Sequence, residues 1–223
     1  TPEEGISIMY YDGWKVSYLD KLTKDHSQYL LYKRENLPAN DRLFKCEVES
    51  LKQEIPLDLT SKAPLVSDGQ FRTYRLALSA TGEYTTFHGG TVANALAAMV
   101  VTMTRVNGVY EKPISVTMVM VANNNLLIYT NSATDPYTNG NPSAMITQNQ
   151  TNTDLVIGTA NYDIGHVFGT NSGGLAGLGV ICTGSKARGV TGSGAPVNDA
   201  FDIDYVAHEI GHHVQNITGT IDK

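Results

Sequence analysis

Between residues 71 and 122 the hydrophobic period changes twice, and that change limits the fold more than any other feature of the chain. Phe71 to Ser79 (FRTYRLALS) alternates as a strand does. From Gly89 to Val109, residues Val92, Ala95, Leu96, Met99, Val100, Met103 and Val106 follow the 3.6-residue spacing of one helix face. Thr91 stands where an N-cap belongs, and Gly108 where a helix can stop. Ile114 to Ala122 is a nearly continuous β-branched, apolar run, as in a buried strand. Strand, helix and strand in this order predict two parallel neighbours joined by a right-handed crossover. The expected fold class is α/β (α+β): a mixed, mainly parallel sheet flanked by helices.

The rest of the chain fits around that unit. Leu126 to Thr130, Tyr162 to Phe168 and Leu175 to Cys182 read as further strands, and Met145 to Ile157 as a helix rich in Asn and Gln. Thr134 to Asn141 and the glycine-rich Thr183 to Val197 read as loops. Upstream, Gly5 to Tyr11, Lys15 to Leu19, Tyr29 to Lys33 and Phe44 to Val48 read as short strands separated by turn formers such as Asp12-Gly13. A polar stretch with Pro56 and Pro64 follows. The expected division is a β-rich segment at 1–50, a linker at 51–70 and the main unit at 71–223.

One motif in the main unit carries chemistry. His208-Glu209-Ile210-Gly211-His212 is an HExxH pattern. On a helix, positions i and i+4 share a face, so both imidazoles can reach one Zn²⁺ ion. Glu209 is then the candidate general base, activating a metal-bound water. Ile203, Val206, Ala207, Ile210, Val214 and Ile217 give this segment an apolar stripe. Asp199, Asp202 and Asp204 suit its N-terminus, and Gly219 its end. His213, off the ligand face, is expected to be exposed. Residues 213–223 hold no obvious third ligand.

Composition narrows the partners. The 223 residues carry a net charge of −6, which argues against a nucleic-acid partner. No apolar run reads as a membrane span. Charged residues make up only 17%, and the chain begins at Thr1, as expected of an exported and processed protein. Cys46 and Cys182 can pair, or Cys46 can be a thiol with a task. The glycosylation patterns at Asn149 and Asn216 read as chance.

Longer motifs then point to a family. Arg72 to Leu78 followed by Thr81-Gly82-Glu83-Tyr84, the run Asn161 to Phe168, the glycine-rich Gly173 to Val180, Lys186 to Val190 and Asp204 to Glu209 resemble, in that order, the bacterial reprolysin-like metallopeptidases of the metzincin clan. The resemblance covers roughly residues 70–212. It implies a twisted five-stranded sheet, an active-site helix beneath a substrate cleft, a zinc cofactor, a peptide or protein substrate, and secretion as a zymogen. Residues 1–50 resemble the end of such a family's propeptide. In that reading Cys46 is a candidate latency ligand, a thiolate in the open position of the metal; otherwise it is a buried strand residue or the partner of Cys182. Asp163 and His166 lie on a strand resembling the family's cleft-edge strand, with His166 read as a core histidine.

The resemblance ends abruptly. Metzincins read HExxHxxGxxH, and here Gln215 takes the glycine slot and Thr218 the slot of the third ligand. A neutral hydroxyl is a poor zinc ligand beside imidazole. Residues 212–219 (HHVQNITG) resemble instead the tail of bacterial neutral zinc metallopeptidases, whose third ligand is a carboxylate on a later helix. Two alternatives therefore stand beside the zinc endopeptidase: a gluzincin-like peptidase with a downstream Glu ligand, and a degenerate peptidase domain that only binds partners. The chain is expected to be a fragment, a chimera or a diverged member, weak or inactive as it stands, with Asp222 and Cys46 the first places to look for another ligand.

Overall fold

The computed structural model describes residues 5–36 except positions 14, 24 and 26, then Cys46, residues 69–170 and residues 173–218, with the backbone alone at 34 and 215–218. Apart from Cys46, the strand expected at 44–48 and most of the linker expected at 51–70 lie outside the described residues.

Eight described strands form two sheets. β1 (Ile8–Asp12), β2 (Lys15–Lys21) and β3 (Tyr29–Lys33) make an antiparallel meander. β4 (Arg72–Ala80), β5 (Val116–Met120), β6 (Ile164–Gly169), β7 (Gly173–Ala176) and β8 (Gly189–Gly192) make the main sheet, in the order β5-β4-β6-β8-β7. Within it β4 pairs in parallel with β5 and β6, β8 pairs in parallel with β6, and β7 is antiparallel at the edge. This is the mixed, mainly parallel sheet that the alternating periods predict.

The helices are α1 (Gly82–Phe87), α2 (Val92–Ile114), α3 (Pro142–Val156) and α4 (His208–Thr218), with a π-helix at Ala200–Ala207 leading into α4. Thr91 caps α2 as expected, accepting from the Asn94 amide at 3.2 Å. The helix then runs through Gly108 to Ile114 and stops at Ser115, whose φ of 55° is left-handed. It is long and apolar enough to cross a bilayer by length and composition, although the sequence reading found no such run. Here it lies across the sheet, and Met99, Val106, Val116, Ile164, Phe168 and Val206 share one core.

Three local readings need correction. β5 is an edge strand: Val116 and Met118 are buried, but Val119 is exposed. Its apolar run is longer than the one covered face needs. Residues 126–130 form no strand; Asn124–Leu127 is a 3₁₀ turn, and only Ile128 bridges the sheet, at Ala80. The run at 175–182 leaves the sheet after Ala176, and β8 lies inside the stretch read as a loop. Glycine content concealed β8, where a Cβ on Gly189 would stand 2.2 Å from His213 Nε2 and 2.4 Å from His166 Nδ1.

Candidate metal centre

The helix bearing HExxH is fixed before any ligand is considered. Ile210 and Val214 are fully buried in the main core, as the apolar stripe requires. The Tyr110 hydroxyl of α2 donates to the Ala207 carbonyl at the junction of the π-helix and α4. The Gly179 amide donates to the His212 carbonyl at 2.9 Å. The acidic residues upstream do not act as caps. Asp199 makes no side-chain cap bond, and Asp202 points into the protein, accepting from Thr102 Oγ1 at 2.7 Å and from Arg105 Nη1 at 2.9 Å. A partner 97 residues away takes the carboxylate that local spacing assigned to the helix end.

His208 and His212 converge. Their Nε2 atoms are 3.2 Å apart and their rings meet edge to face. Cys46 Sγ lies 3.5 Å from His212 Nε2, and the Cys46 backbone bridges Gly174 of β7 in parallel register. No disulfide joins Cys46 to Cys182, which is exposed. One ligand atom from each of Cys46, His208, Glu209 and His212 falls within 4.8 Å of all the others.

Glu209 is fully buried against β7. A Cβ on Gly174 would stand 2.3 Å from Glu209 Oε1, so only glycine admits the carboxylate there. His213 is also fully buried, contrary to the expected exposure. Its Nε2 faces His166 Nδ1 at 3.5 Å, and His166 Nε2 meets Thr191 Oγ1 at 2.8 Å. Burial, with some help from each one's histidine neighbour, lowers the pKa of both imidazoles, that of His213 to about 3. β6, which carries His166, is the central strand and not the cleft edge; β7 holds the edge. Asp163 pairs with Arg75 at 2.7 Å, a bond that lowers its pKa, and takes no part in the cluster. Thr218 ends α4, which continues as helix through Gln215. At a rise of about 1.5 Å per residue, its backbone lies about 15 Å along the axis from His208.

A model of the M12B metallopeptidases, the reprolysin-like group, matches residues 96–215, from the second turn of α2 into α4. The chain belongs to this family. No curated protein matches it. The reprolysin-like family is zinc-dependent, and the cluster suits that ion. A tetrahedral Zn²⁺ at about 2.0–2.1 Å from nitrogen and about 2.3 Å from sulfur sets N···N near 3.4 Å and N···S near 3.6 Å. The observed 3.2 Å and 3.5 Å fit those spacings. The residues that sequence reasoning missed, Tyr110, Arg105 and Gly174, support the reprolysin-like helix from elsewhere in the fold. Of these only the Gly173-Gly174 pair left a local signal.

Proposed function

We propose that this chain is a zinc-dependent endopeptidase unit kept latent by its own N-terminal segment. His208 and His212 would hold the ion through Nε2, and Cys46 would supply a third ligand in place of substrate. Zinc, when bound, supplies Lewis acidity to a water and to the scissile carbonyl. Glu209 accepts the proton of the attacking water and passes it to the leaving amine. Its buried seat under Gly174 holds the carboxylate beside the two imidazoles. An extended peptide adds to the edge strand β7 by backbone hydrogen bonds.

One observation carries this reading. The same residue, Cys46, touches His212 with its sulfur and bridges Gly174 with its backbone. It thus takes the metal side and the strand edge together, as an inhibitory segment must. Because α4 runs straight through the position where metzincins turn, the Thr218 slot is carried away from the cluster. Cys46 is the thiol within reach among the described residues, and a peptidase whose third ligand is its own inhibitor has little activity as it stands. Residues 1–50 are accordingly read as a prosegment, and the substrate as an extracellular peptide or protein, in keeping with the low charge content.

Zinc stoichiometry and chelator-sensitive peptide hydrolysis test this function. The parent chain is expected to hold one zinc and to hydrolyse slowly. Glu209→Gln should keep the zinc and lower the residual rate by about 10²–10⁴-fold. A chain without zinc, or hydrolysis indifferent to both chelator and Glu209→Gln, overturns it.

A further inference from the structure

The N-terminal sheet meets α2 through a mixed apolar and charged contact that the metal cluster does not use. Tyr11 of β1 donates its hydroxyl to the Gly108 carbonyl at 3.0 Å. A Cβ on Gly108 would stand 2.7 Å from Met9 Cε and 3.8 Å from the Tyr11 hydroxyl, so both β1 side chains close directly on the helix here and a larger residue must displace them. Lys112 Nζ lies 5.8 Å over the Tyr11 ring.

The centre of this contact is Arg105. Its side chain is 3% exposed and lies over the Tyr18 ring at 5.2 Å. Nη2 donates to Asp20 Oδ1 of β2, and Nη1 to Asp202 Oδ2 of the π-helix. Asp20 also accepts from Ser7 Oγ at 2.7 Å and from Tyr32 of β3 at 2.6 Å. Asp20 of β2, bonded by Ser7 just before β1 and by Tyr32 of β3, therefore ties the meander to one guanidinium. A buried cation between two carboxylates loses much when either is removed, because the remaining charge stays desolvated.

We propose that residues 5–36 form a docking element that recognises the Arg105 face of α2 on its own, bound whether or not the chain behind it is continuous and whether or not Cys46 reaches His212. This deepens the latent reading: the prosegment has two anchors, and the one at Arg105 is independent of metal. Through Asp202 the same guanidinium is tied to the segment that enters the metal-binding helix, so docking also braces that helix.

The test uses the full chain with a specific protease site inserted near residue 60, cut and then passed over a sizing column in chelator. The N-terminal fragment should co-elute with the remainder. Asp20→Asn, on the sheet, and Gly108→Leu, on the helix, should each weaken its retention at least tenfold, while Cys46→Ser leaves it unchanged. A Gly to Leu change within a helix favours the helix itself, so loss of retention there reads docking and not folding. Separation of the fragment after cutting the chain that carries no other substitution, or release by Cys46→Ser but not by Asp20→Asn, overturns the proposal. Zinc content and hydrolysis are not read in this experiment, so failure of the peptidase reading would show separately.

Discussion

Gly174 and Glu209 are in such close approach that a single methyl group at residue 174 would collide with the carboxylate, 2.3 Å from Oε1. The edge strand β7 and Glu209, the proposed general base, are therefore packed backbone to side chain. Gly174→Ala must push Glu209 aside or lift β7. It is expected to lower unfolding free energy by about 1–3 kcal/mol, the usual result of overpacking, and to lower hydrolysis further than Gly177→Ala does. Denaturant unfolding with a rate assay checks this; a neutral Gly174→Ala would show that strand and helix are not in contact.

His213 offers a second test, because sequence spacing and structure disagree about it. In a buried pair with His166, its loss leaves a cavity and an imidazole without its partner. His213→Ala should cost about 2–4 kcal/mol. An exposed residue would cost within about 0.5 kcal/mol. Urea unfolding of the two chains decides between them.

Asp202 gives a pH dependence with a defined sign. Burial pushes its carboxyl up to about 6, well above the ordinary aspartate range, against the opposing pull of Arg105. A folded pKa above the unfolded one means that the native state holds the proton more tightly. Stability from this group is full below about pH 4 and is lost as pH rises through about 6, by on the order of 3 kcal/mol. Asp202→Asn lacks that loss. Unfolding free energies of parent and variant should therefore diverge between pH 4 and 7, with the parent falling relative to the variant. The buried histidines act oppositely, losing stability as pH falls below about 6.5, but they are common to both chains and cancel. Parallel curves would contradict the assignment.

How much of this was legible follows from the range of each interaction. The cap at Thr91 and the β4–α2–β5 unit were readable because their signals lie within a few residues of each other; the Asn141 cap of α3 was passed over as the end of a loop. The i, i+4 pairing of His208 and His212 was readable for the same reason. His213 was misplaced because helix phase tells which residues share a face, not which faces are covered, and α4 packs against β7 and β8 as well as against α2's neighbours. Asp202 was taken for a helix-end carboxylate because nothing local reveals Arg105. Asn149 matched a glycosylation pattern, yet it is fully buried and donates to the Ala187 carbonyl at 2.7 Å. The contact of Cys46 with His212 spans 166 positions; its residue type and the propeptide resemblance of residues 1–50 suggested it, not any local pattern.

The central claim is that Cys46 shares one metal ion with His208 and His212. Substituting Co²⁺ for zinc tests it most directly, since a cobalt–thiolate bond gives a charge-transfer absorption that nitrogen and oxygen ligands do not. The account predicts one equivalent of Co²⁺ with that absorption in the full chain, its loss in Cys46→Ser together with weaker binding, and no uptake in His208→Ala. A cobalt spectrum without thiolate character, unchanged by Cys46→Ser, would contradict it.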